Sequence, residues 1–80
     1  MDRTKEAYFS SLPPSEKIIW VLKQQEDYGG PQSAERLCTF LGMKRKNLDS
    51  LLSRLYKRGK IERVSMGVYR LPGDEREPKF

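Results

Sequence analysis

Residues 44–71 read KRKNLDSLLSRLYKRGKIERVSMGVYRL. Leu48, Leu51, Leu52 and Leu55 recur at i, i+3, i+4 and i+7, the spacing of one apolar helix face. Gly59 closes that helix, and the period then changes from helical to alternating. Ile61–Val64 and Val68–Leu71 predict two strands, joined by Ser65-Met66-Gly67 with glycine last, where a left-handed residue is wanted. That register sets Val64 opposite Val68, Glu62 opposite Arg70 and Ile61 opposite Leu71. Ile61, Tyr69 and Leu71 would share the inner face, with Arg63 near the tip.

Upstream, Pro13-Pro14 punctuates the chain, and Pro14 suits a first helical turn because its missing N–H has no partner there anyway. Ile18, Val21 and Leu22 continue as a helical stripe, predicting a helix over roughly 14–27, and Trp20 belongs to its apolar part. Tyr28-Gly29-Gly30-Pro31 stops it. Ser33 is an N-cap for a short helix, SAERLCTFL, with Ala34, Leu37, Cys38 and Leu41 inward. Gly42 ends that helix and Met43 follows as a buried plug. Residues 1–12 are expected to be flexible or a short flap of Tyr8, Phe9 and Leu12. Residues 13–72 form the domain, and the charged tail 73–80 is expected to be disordered.

The charge is local. Lys44–Arg63 holds eight basic residues against two acidic ones, a net +6, whereas the whole chain is +5, so the other sixty residues sum to −1. A basic excess on a periodic helix is how a surface that meets a polyanion is usually built. Opposite the leucine stripe lie Lys46, Ser50, Ser53 and Lys57, with Asn47 and Arg54 along one edge.

Other functions are excluded by what is missing. The chain has no histidine, so histidine acid–base catalysis cannot occur, and its single cysteine cannot form an internal disulfide or a zinc site alone. No nucleophile–base constellation and no phosphate-binding glycine loop is present, so we expect no enzyme, no cofactor and no metal. The longest apolar run, Ile18–Leu22, is five residues, far short of a membrane span. The N-terminal residues lack the apolar core of a secretory signal, and the cysteine usage agrees with a reducing, cytoplasmic setting.

Helix, short helix, turn, long basic helix and hairpin together predict a mainly α fold with a small β-hairpin: a winged helix-turn-helix with three helices and a two-stranded wing. The stretch LCTFLGMKRKNLDSLLSRLYKRGKIERVSMGVYRL resembles prokaryotic winged-helix regulators. Its KRGKIERV and GVYRLP segments are similar to the wing of N-terminal domains in bacterial and phage repressors and antitoxins. The resemblance covers residues 14–72 and implies a DNA-binding module in transcriptional or replication control. LGMKRKNLDSLLSRLYKRGKI also matches, without a gap, the recognition segment of Z-DNA-binding winged helices. That family's helix asparagine and tyrosine correspond here to Asp49 and Ser53, and the SMGVYR hairpin carries neither its Pro-Pro nor its tryptophan. Only the basic residues Lys44, Arg45 and Lys46 carry over.

The expected partner is double-stranded DNA, with the long helix in the major groove. Asn47 and Arg54 have the chemistry for adenine and guanine edges, while Ser50 and Ser53 are small enough for close approach. Lys44, Arg45, Lys46 and Lys57 would hold phosphates, and Arg63 and Arg70 would make hairpin contacts. The plain alternatives are a solvated helix face, an Asp49 pair with Lys46 or Arg45, and a cross-strand Arg70–Glu62 pair. A protein–protein adaptor or an RNA-binding module are the rival functions; a homodimer or larger partner would extend the small contact surface.

Overall fold

The computed structural model describes residues 8–24 and 29–78. Helix α1 spans Pro14–Lys23, strand β1 Gln32–Ser33, helix α2 Ala34–Leu41, helix α3 Arg45–Lys57, strand β2 Glu62–Ser65 and strand β3 Val68–Arg70. A further helical turn covers residues 8–11. Helices dominate a mixed α/β arrangement whose antiparallel sheet runs in the order β1-β3-β2. No helix among the described residues is long and apolar enough to cross a membrane.

Pro14 occupies the first turn of α1, as its lack of an N–H suggests. The helix leaves its path at Gln24 instead of continuing to 27, and residues 25–28 lie outside the described residues. Its last carbonyls are taken by other donors. Gln24 Nε2 donates to the Trp20 carbonyl at 2.8 Å, and the Gly30 N–H to the Leu22 carbonyl at 3.2 Å. A Cβ at Gly29 would collide with the Gln24 carbonyl, so the return from α1 requires glycine there.

The sheet has three strands, not two. Strand β1 pairs Gln32 with Tyr69 and Ser33 with Val68. Ser33 is therefore a strand residue and, as expected, also a helix cap: its Oγ accepts from the Arg36 N–H at 3.3 Å. The Ala34 N–H donates to the Gly67 carbonyl at 2.8 Å, tying the start of α2 to the hairpin turn. Two residues have no period, which is why the strand is invisible in the sequence.

The hairpin register holds at Glu62↔Arg70 and Arg63↔Tyr69, then shifts. Ser65, not Val64, lies opposite Val68, with a bulge between Arg63 and Ser65. The turn is therefore Met66-Gly67, with Gly67 at φ 74°. An extra bulge residue shortens the connection by one and leaves Val64 exposed, while Met66 at the tip is 97% exposed. Arg63 is accordingly mid-hairpin.

The core joins Ile18, Val21 and Leu22 of α1 to Ala34 and Leu37 of α2, to Leu48, Leu52 and Leu55 of α3, and to Ile61. Leu51, Tyr69 and Leu71 pack against it half-buried. So do Cys38 and Met43, which were expected to be enclosed. The flap expected near the N-terminus is in part realised: the Phe9 ring lies 4.7 Å from that of Trp20 and 6.3 Å from that of Phe40. Residues 1–7 lie outside the described residues.

Of the tail expected to be disordered over 73–80, residues 73–78 are described and residues 79–80 lie outside the described residues. Its described part is tied to the domain by Arg76. That guanidinium donates to the Gln24 carbonyl at 2.6 Å and the Leu22 carbonyl at 3.1 Å, and to Asp74 Oδ2 at 2.8 Å. It caps the C-terminal end of α1, where the helix dipole favours a cation. Replacing Arg76 with Ala should cost about 1–2 kcal/mol, because it strips charge-assisted bonds from a partly buried site. A thermal melt followed by circular dichroism should fall by roughly 5–15 °C. Arg76 also holds the Asp74 carboxyl below the usual carboxylate range. A depressed folded pKa stabilises fully above the unfolded value, near pH 4, and is lost as pH falls through the folded one. The gap between wild type and variant should therefore narrow on acidification below about pH 4.

Candidate nucleic-acid interface

Burial of Leu48, Leu52 and Leu55 fixes the rotation of α3. A helix with one face pinned must present the opposite face outward. Lys46, Asn47, Ser50, Ser53, Arg54 and Lys57 are all exposed, as are Lys44 and Arg45 at the start of the helix. From Lys46 to Lys57 this surface runs about 16 Å along the axis, at about 1.5 Å per residue. The Ser50 hydroxyl folds back onto the Lys46 carbonyl at 3.4 Å, which keeps the middle of the face low.

The start of α3 is set by the connection before it. Gly42 adopts the left-handed conformation at φ 66°, and the N–H groups of Gly42 and Met43 both donate to the Cys38 carbonyl. Lys44 then takes the N-cap position in extended geometry, without a side-chain capping bond. The first turn of α3 contains no acidic residue, and its last turn carries Arg54 and Lys57. Cations in the last turn complement the helix dipole, so Lys57 and Arg54 have an ordinary stabilising role available. The cations Lys44, Arg45 and Lys46 have the opposite relation to it.

Asp49, the acidic residue on this helix, pairs with Arg45: Nε to Oδ1 is 3.0 Å, between side chains 49% and 54% exposed. The Arg45 guanidinium is held above its ordinary range, first by this hydrogen bond and then by the Asp49 charge.

The hairpin contributes unequally. Arg63 is exposed, with its guanidinium carbon 5.2 Å from the centroid of the Tyr56 ring. This cation–π contact ties β2 to α3 and holds Arg63 beside the basic helix. Arg70 does not join the surface. Its Nε donates to Glu62 Oε1 at 2.9 Å and its Nη1 to the Asp74 carbonyl at 3.0 Å. It lies on the central strand, directly opposite Glu62 and half-buried, so the cross-strand pair describes it better than a phosphate contact.

One position near the interface was not assigned from the sequence. Met66, with Gly67 and Val68, shares an open cleft with Ser33, Glu35 and Arg45, which brings the hairpin tip alongside the first turn of α3. Its only sequence signal was an apolar side chain in a turn. Tyr56 as the platform for Arg63 had no local signal, because the contact joins two elements. Comparison with protein-family models, with curated proteins and with solved structures found no match to this chain.

Proposed function

We propose that this domain is a winged helix that binds double-stranded DNA, with α3 in the major groove and the β2–β3 hairpin against the backbone. The observation that carries the reading is the first turn of α3. Lys44, Arg45 and Lys46 stand exposed at the positive end of a helix dipole, with no acid in that first turn, and Arg45 has its acidic partner, Asp49, one turn on. Each such cation costs roughly 0.3–1 kcal/mol at a helix N-terminus. A face shaped only for solubility would place acids there. The arrangement becomes favourable when a phosphate backbone approaches, because the N-terminal N–H groups and the side chains then act together. The order α1-β1-α2-α3-β2-β3 supports the same reading, since it leaves α3 and the hairpin side by side.

The domain works by binding, not catalysis, and its role is transcriptional or replication control. A single module of this size buries about 600–1,000 Å² of its own surface on DNA, so a second copy or a larger protein would strengthen a specific complex. The adaptor reading draws some support from Met66 in the hairpin turn and Val64 just before it, whose apolar side chains are exposed.

A backbone amide NMR titration with a mixed-sequence B-form duplex at low salt tests the proposal. Shifts at 44–57 and 63–67 are the expected result. An unperturbed spectrum, or shifts confined to 8–20, would overturn it. Stronger perturbation by single strands would point to RNA.

A further inference from the structure

We propose that Arg45 reads a guanine edge and that Asp49 is the positioning residue that aims it. The inference rests on the DNA-binding reading above and deepens it, because it assigns base selectivity to a side chain otherwise placed among the phosphate contacts.

The argument starts from which edge of the guanidinium is engaged. Asp49 Oδ1 accepts from Arg45 Nε at 3.0 Å. Nε lies on the side of the guanidinium; the two Nη atoms form its far end. Among the described residues, no other hydrogen bond engages the Arg45 side chain, so that end points a pair of donors away from Asp49. Two parallel N–H groups are the donor pattern that matches O6 and N7 of guanine. A lysine, or an arginine free to rotate, would meet a phosphate equally well; a guanidinium fixed along one edge is suited to a planar, bidentate acceptor.

The pair is also poorly placed for a stabilising role. Its order, cation toward the helix N-terminus and carboxylate four residues on, is the weaker one for helix stability. A carboxylate beside these cations repels a polyanion, and Glu35 lines the same cleft as Arg45. Orienting Arg45 offsets that repulsion. The location fits, since the N-terminal residues of a recognition helix are those that reach base edges. The cleft shared with Met66 and Gly67 adds a wall on the hairpin side.

The test is site selection from a randomised duplex library, using the full chain and the variants Asp49→Ala, Asp49→Asn and Arg45→Ala. Each is checked for an unchanged fold by its amide spectrum. Wild type should select guanine at one position at least about fivefold over other bases. Asp49→Ala should lose that preference while binding unselected duplex as tightly as wild type or tighter. Asp49→Asn, which keeps the acceptor oxygen, should retain part of it, and Arg45→Ala should lose the same position. The inference fails if Asp49→Ala binds every sequence more tightly with its base preference intact, for then Asp49 acts only as a charge. It fails equally if Arg45→Ala weakens all sequences alike and lowers the salt slope by about 0.9, the signature of a phosphate contact. Absence of duplex binding by the wild type would overturn the DNA reading itself, and is distinct from either result.

Discussion

The combined variant Lys44→Ala, Arg45→Ala, Lys46→Ala should bind a B-form duplex about 10²–10³-fold more weakly than wild type at 0.1 M salt. Each cation that neutralises a phosphate releases close to 0.9 of a counterion, which is worth about eightfold at that concentration. Lys44 and Lys46 together give about sixtyfold, the loss of the Arg45 base contact adds to it, and the slope of log affinity against log salt should fall by about 1.8. Fluorescence anisotropy over a salt series measures both. The same variant should melt no lower than wild type. Its substitutions remove cations from the positive end of α3 and add alanine, the best helix former; the exposed Arg45–Asp49 pair lost with them contributes little. Weaker binding with undiminished stability is the mark of residues kept for an anionic partner. A fall in stability matching the fall in affinity would instead make the first turn of α3 a structural element.

That contrast depends on a helix face that is legible in the sequence alone. Four leucines at 48, 51, 52 and 55 fixed its rotation, and three of them are buried. Gly42 and Gly59, both at positive φ, bounded α3 within a few residues of where it starts and stops. The exposed set from Lys44 to Lys57 follows from those two features alone. The hairpin register was legible to the residue from Glu62↔Arg70 through Arg63↔Tyr69 but not beyond. Alternation cannot say which of Val64 and Ser65 is the extra residue, because both a two-residue and a three-residue turn fit SMG.

What stayed hidden was tertiary. Arg76 finds acceptors 52 and 54 residues away, on the carbonyls that end α1. Nothing near Arg76 distinguishes it from the other charges of the tail, so a composition argument assigned the segment to disorder. Strand β1 exists because β3 has a second edge to fill and because the Ala34 N–H reaches the Gly67 carbonyl. Arg70 has the same origin. Its pairing with Glu62 was readable across the hairpin; its second bond, to the Asp74 carbonyl, needs the turn that follows β3. Which face of α3 turns outward follows from that helix alone, whereas roles that depend on the return of a distant segment do not.

Leu52→Ala is the stability counterpart of the charge variant, and its effect should be larger than that of any surface change. Leu52 is fully buried in the core cluster, one turn after Leu48 and just before Leu55, where α3 packs against both α1 and α2. Truncation there removes the transfer free energy of the lost carbons and leaves a cavity that three converging helices cannot close. The expected loss is about 2.5–5 kcal/mol. A domain of this length holds only about 4–12 kcal/mol in total, so the loss is a large fraction of it. Chemical denaturation should show the midpoint falling with an unchanged slope, and the melting temperature should drop by more than about 10 °C. Below that transition the folded fraction should bind duplex with the wild-type salt slope, because Leu52 carries no charge and its removal leaves every cation on the outer face. A loss under about 1 kcal/mol would mean that α3 is not pinned by its leucine stripe. The outward presentation of Lys46, Ser50, Ser53 and Lys57 would then lose its physical basis, and with it the groove geometry that depends on it.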